Sequence, residues 1–199
     1  LEESGYIRAE GENVVIIADV ADIGPDYIPG HGHADALSFE LSLFGKRVIV
    51  NSGISTYEIG IDRYKQRSTE LHSTITIDNQ NSSEVWSGFR VANRAKVFDI
   101  KKFKYSNSVN FSAYHDGYKK FKEGIFHCRH WSVSNNSIKI IDNITGNGEH
   151  KIRSAFPLHP SVVVSDVQGG SISLQVSGNV VKINFEGKGE LKVMQSQYY

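Results

Sequence analysis

Short segments rich in Val, Ile, Phe, Tyr and Leu recur along the chain between clusters of Gly, Asn, Asp and Ser, and helical periodicity is nearly absent. β-Branched and aromatic residues suit a pleated, half-buried surface, and the intervening residues supply turns. Strands are expected at 14–20, 38–44, 47–51, 73–77, 95–101, 109–114, 125–133, 137–142, 152–156, 161–165, 172–176, 180–185 and 190–194. The clearest alternation sets Leu37, Phe39, Leu41 and Leu43 against Ser38, Glu40 and Ser42, a strand buried on one face. Asn147-Gly148 and Gly169-Gly170 carry hairpin-turn chemistry. A dozen or so short strands predict an all-β fold, an antiparallel β-sandwich, as a single domain over residues 1–199. Residues 60–71 are polar and do not alternate, so a long loop with room for one helical turn is expected there.

Charge and length narrow the partners. Twenty-two basic residues balance twenty-two acidic ones, which removes the broad attraction that nucleic acid requires. No apolar run approaches the roughly 20 residues of a membrane span. Cys128 is the one cysteine, so an internal disulfide or a cysteine-rich zinc module is ruled out, and its strand context suggests a buried thiol. The chain opens Leu1-Glu2-Glu3, without an initiator Met or an apolar leader, and is read as a piece of a longer protein.

Residues able to carry chemistry concentrate between positions 30 and 100. Gly30-His31-Gly32-His33-Ala34-Asp35 leads into the alternating strand, and two His one residue apart share a side of extended backbone. His72 offers a third imidazole. A cupin-like metal enzyme would need a Glu three or four residues after the pair, whereas Glu40 follows His33 with six residues between. Arg63, Lys65, Arg67, Arg90 and Arg94 supply cations for acidic groups. Tyr57 and Trp86 offer faces for a sugar ring. His127-Cys128-Arg129-His130 places His127 and Arg129 on one strand face with Trp131, and reads as structure.

Taken together, the run from Gly30 to Leu41, the segment Phe44-Gly45-Lys46-Arg47-Val48-Ile49-Val50-Asn51-Ser52-Gly53 and the segment Arg67-Ser68-Thr69-Glu70-Leu71-His72-Ser73-Thr74 resemble the heparinase II/III family of polysaccharide lyases. The likeness continues through Glu84-Val85-Trp86 and Phe89-Arg90-Val91 to Leu158-His159-Pro160. It implies the carboxy-terminal β-sandwich of such a lyase, with an N-terminal α/α toroid upstream that completes the cleft. The implied reaction is β-elimination on a uronic-acid-containing acidic polysaccharide, such as a glycosaminoglycan or alginate. By position, His31 matches the sandwich's catalytic histidine, and Arg67 and Arg90 fall inside matching motifs with Tyr57 and Trp86 as ring contacts. His33 and His72 match two ligands of a structural zinc. The third is an Asp in the family and Asn51 here, which removes a charge that Asp35 or a water would have to make good. The resemblance also implies a periplasmic or secreted protein. A binding or structural sandwich without chemistry is the other reading, favoured by Asn51.

Overall fold

The computed structural model describes residues 2–105, 107–121 and 124–196. The chain runs through β1 (Tyr6–Glu10), β2 (Val14–Asp19), β3 (Phe39–Leu43) and β4 (Lys46–Ile49), then helix α1 (Ile61–Arg67). There follow β5 (Ile75–Ile77), β6 (Val85–Trp86), β7 (Arg90–Val91), β8 (Val97–Tyr105), β9 (Ser108–His115), β10 (Phe126–Ser134), β11 (Ile138–Thr145), β12 (Ile152–Ser154), β13 (Val163–Gln168), β14 (Ser171–Val176) and β15 (Asn179–Asn184). Strands β1 to β4 form one antiparallel sheet in chain order, and β8 to β11 form a second. Strands β13 to β15 form a three-stranded sheet, while β12 pairs with β5 and β6 with β7.

One apolar core joins the three larger sheets. Ile7, Ile16, Phe39 and Leu41 from the first sheet meet Phe111 and Trp131 from the second and Leu174 from the third. The alternation that begins at Leu37 is buried as its pattern requires, with Glu40 and Ser42 on the outer side. Burying a large apolar side chain stabilises by about 1.5–3 kcal/mol, so this face fixes the register of β3. Hairpin chemistry acts where both turn residues adopt positive φ. Gly169 and Gly170 have φ of 52° and 85° and join β13 to β14 with Gln168 opposite Ser171. Asn147-Gly148 forms no such hairpin, because β11 and β12 belong to different sheets.

Three sequence expectations change. Residues 61–67 are helical, and the helix buries Arg63, Gln66 and Arg67. Residues 190–194 lie outside every strand, although the expected strand there is rich in apolar residues. Tyr6–Glu10 is a strand that its charged residues conceal, burying only Ile7 and Ala9.

A polar network braces the sandwich beneath its loops. Arg129 is fully buried on β10, and its Nε and Nη2 donate to the two oxygens of Asp142 at 2.6 and 2.9 Å. Its Nη1 donates to the carbonyls of Leu37 and Ser73. The Gly117 N–H donates to His115 Nδ1, so Nε2 of His115 carries the ring proton and donates to His127 Nδ1 at 3.0 Å. His127 Nε2 then donates to Asp142 at 2.7 Å. Burial lowers the pKa of both imidazoles. Asp142 lies well below the usual carboxylate range despite its burial, because Arg129 and His127 favour its charged form.

Candidate functional site

Three connections meet at one end of the first sheet: the β2–β3 loop, the β4–β5 segment containing α1, and the β6–β7 hairpin. The first two are cross-tied by hydrogen bonds. Ala34 N–H donates to the Arg67 carbonyl at 2.9 Å, Thr69 Oγ1 donates to the Ala34 carbonyl at 2.7 Å, and Thr74 Oγ1 donates to the Ala36 carbonyl at 2.9 Å.

Arg67 locks in the hairpin. Its Nε and Nη2 donate to the Gly32 carbonyl at 3.2 and 3.0 Å, and Nη2 also reaches the Arg90 carbonyl at 3.2 Å. Nη1 donates to the carbonyls of Gly88, Ser87 and Trp86 at 3.0, 3.3 and 3.4 Å. The side chain is wholly buried and all five N–H groups face main-chain oxygen, which leaves none for a sugar carboxylate. Gly32 also needs its missing side chain, since a Cβ would lie 2.9 Å from Ile23 Cγ2 and 3.1 Å from the Pro29 carbonyl.

His33 and His72 face each other with ring centroids 5.3 Å apart. Together with Asp35 they bring one potential metal-ligating atom each within 4.8 Å of one another. Burial lowers both imidazoles to a pKa of about 4, with each other's proximity and the nearby Arg63 and Arg67 adding to the effect at His33. Burial raises Asp35, opposed by His33. Asp19 is raised to about 7 by burial and by Asp35. Asn51 touches His72, its Nδ2 lying 3.2 Å from Nδ1, while its Oδ1 accepts the Gly53 N–H at 3.1 Å. His72 Nε2 is buried and has no hydrogen-bond partner. Two imidazoles held neutral and a carboxylate, each offering one ligand atom, make a donor set that suits a divalent cation. Glu40 is engaged elsewhere, accepting from Arg47 and from the Asn51 N–H.

His31 sits outside this group on the exposed rim, at the end of a short 3-10 turn over Pro29–His31. Its ring lies edge-on to Phe89 and Tyr57, with centroids 5.3 and 5.8 Å away, and those two aromatics stack on each other. Arg63 lies behind them, its guanidinium carbon 5.1 Å from the Tyr57 ring and 5.5 Å from the Phe89 ring. Tyr57 and Trp86 are about half exposed, as surface contacts for a ligand would be. Arg90 is also exposed and, with Ile59, Ser87, Gly88 and Phe89, lines a cavity of about 400 Å³. Of the five buried side-chain polar atoms without partners among the described residues, four belong to Ser52, Arg63 and His72 in this region. Such atoms are costly and mark places that await a partner. Arg63 stands among the cations of the sequence, but its burial is written only in the helical spacing of the polar residues 63, 66 and 67.

Among curated proteins the chain finds no match. It resembles the solved structure of heparinase III with 22% identity and a TM-score of 0.64, covering 86% of this chain and 26% of that one. A mutant of the heparan sulfate lyase HepC from Pedobacter heparinus gives 20% identity and a TM-score of 0.65, covering 86% and 26%. The heparinase III BT4657 gene product gives 19% and 0.65, covering 85% and 25%. The chain therefore spans about a quarter of the length of the structures it resembles. The family model for the heparinase II/III-like C-terminal region matches residues 1–199, and the chain belongs to that family.

Proposed function

We propose that this chain forms one wall of the cleft of a polysaccharide lyase that cuts a uronic-acid-containing polymer by β-elimination. The observation carrying this reading is His31, exposed against two aromatic rings at the meeting point of three braced loops in a domain of this family. In the elimination, a base removes the proton at C5, and the electron pair left behind forms the C4–C5 double bond. The C4–oxygen bond breaks as that double bond forms, its electron pair leaves on the oxygen, and the departing oxygen takes a proton. An exposed imidazole can move a proton at either stage. The opposite wall and the remaining groups come from an upstream α/α toroid, consistent with the quarter-length coverage above. A polymer of this kind is met in the periplasm or outside the cell, and the whole protein belongs there.

His33, Asp35 and His72 would hold a zinc ion, with Asn51 beside His72. The ion's contribution is structural: it pins the β2–β3 loop to the β4–β5 segment and keeps positive charge beneath the cleft. His31 projects from the same loop two residues away, and its ring remains against Tyr57 and Phe89.

The whole protein, followed by absorbance of the unsaturated product on uronate polymers, tests the reading. His31→Ala should remove turnover and leave the melting temperature unchanged, because the ring is exposed. Wild-type turnover in that variant would take His31 out of the chemistry. Binding of polymer without any turnover by the unaltered protein would instead favour a glycan-binding sandwich, the reading that the uncharged Asn51 supports.

A further inference from the structure

Arg63 is the most unusual side chain in the molecule. It is wholly buried on the first turn of α1, and its Nε donates to the Gly88 carbonyl at 3.1 Å. Its Nη1 and Nη2 have no hydrogen-bond partner among the described residues. No carboxylate pairs with it among the described residues. The contrast with Arg67 four residues on is complete, since that guanidinium is saturated by carbonyls. Contact with the Tyr57 and Phe89 rings offsets part of the cost of burial, but four N–H donors remain unanswered. A fixed fork of this kind matches the two oxygens of a carboxylate.

The Tyr57 ring lies against this guanidinium. Tyr57 is 56% exposed, and it lies in the connection between β4 and α1, which has no regular structure. That connection is tied down by Ser55, whose N–H donates to Gln66 Oε1 and whose Oγ accepts from Gln66 Nε2. His31 touches the same two aromatics that flank the fork.

We infer that Arg63 is the carboxylate anchor of the cleft: Tyr57 swings aside, the fork takes the acid group of one uronate unit, and that sugar is thereby set beside His31. The inference rests on the lyase reading for its ligand class, and it assigns to this chain a specificity-determining residue. Arg63 neither gives up nor receives a proton in this role. It fixes the ring so that the group at His31 meets the reacting bond.

The test uses the 199-residue chain, whose sheets close their own core, titrated by NMR with a uronate tetrasaccharide and with its carboxyl-reduced counterpart. The unaltered chain should prefer the carboxylated ligand by about tenfold or more. Arg63→Gln should bind both ligands equally and weakly, with a melting temperature no lower than that of the parent, since an unpaired buried charge has been removed. Arg63→Lys keeps the charge without the fork and should retain only part of the preference, which also serves if the Gln variant fails to fold. The inference is overturned by an unaltered chain without preference, or by a Gln variant that keeps it. It is equally overturned by a Gln variant that loses affinity for both ligands alike and melts lower, the mark of a structural role. A sulfated, carboxyl-reduced tetrasaccharide that binds as tightly as the carboxylated one would assign the fork to sulfate and overturn the carboxylate assignment. Elimination by the whole protein without carboxylate preference in the chain fails Arg63 alone, and preference without elimination fails the lyase reading alone.

Discussion

The Asn51 amide meets His72 through its nitrogen, with Nδ2 lying 3.2 Å from Nδ1, because its oxygen is already held by the Gly53 N–H. An amide nitrogen has no free lone pair, so Nδ1 accepts and Nε2 carries the ring proton. For Asn51 to offer oxygen to a cation it must turn over and abandon Gly53. A carboxylate faces no such conflict, since one oxygen can accept from Gly53 while the other binds the ion.

Asn51→Asp should therefore raise zinc affinity by about tenfold or more, read by calorimetric titration of both proteins. Equal or weaker binding by the Asp variant would remove position 51 from any metal site.

Acid should destabilise the domain at higher pH than its surface carboxylates alone would dictate. His33 and His72 titrate near 4 in the folded state against about 6.5 when unfolded, so the unfolded chain binds more protons between those values. These imidazoles then lose stability as pH falls from about 6.5 toward 4, and the lowered values of His115 and His127 act in the same direction, while the raised carboxyls of Asp19 and Asp35 oppose them. Melting temperatures measured with a chelator present should drop across that window, since four lowered imidazoles face two raised carboxyls; a melting temperature that rises as pH falls would contradict the burial of these rings as neutral groups.

Arg67→Lys should lower stability by about 2 kcal/mol or more in urea denaturation, because three mobile donors replace five fixed ones and several buried carbonyls lose their partner. An Arg67 that served only to bind substrate would leave the denaturation midpoint in place.

Gly32→Ala should cost stability for a different reason. The new methyl group meets Ile23 and the Pro29 carbonyl at distances that force the loop to shift, so His31 and His33 should both be displaced. The expected readout is a lower melting temperature together with weaker zinc binding; unchanged values for both would show that the loop yields freely.

Strand β3 was plain in the sequence because Leu37, Phe39, Leu41 and Leu43 are apolar and its outer face is not. Helix α1 was hidden although its buried positions 63, 66 and 67 have helical spacing, since they are Arg, Gln and Arg and leave no apolar stripe to read. The same chemistry concealed half the site. His31, His33 and His72 stand out as residue types, whereas the division of labour between Arg63 and Arg67 depends on which guanidinium finds carbonyls. That depends on the β6–β7 hairpin, whose two-residue strands are too short to leave a periodic signal. Arg129 reaches the site from β10 through the carbonyls of Leu37 and Ser73, a contact across more than fifty residues in each case.

Arg67 grips the β6–β7 hairpin solely through main-chain oxygen, that of Trp86, Ser87, Gly88 and Arg90. The side chains at 86, 87 and 90 therefore carry no share of that grip. Descendants of this sequence can exchange residues 86 and 90, and residue 87 within what its φ of 53° allows, while the scaffold beneath stays the same. Change at Arg67 itself has no such latitude, and the hairpin's variability and its rigidity are assigned to different residues.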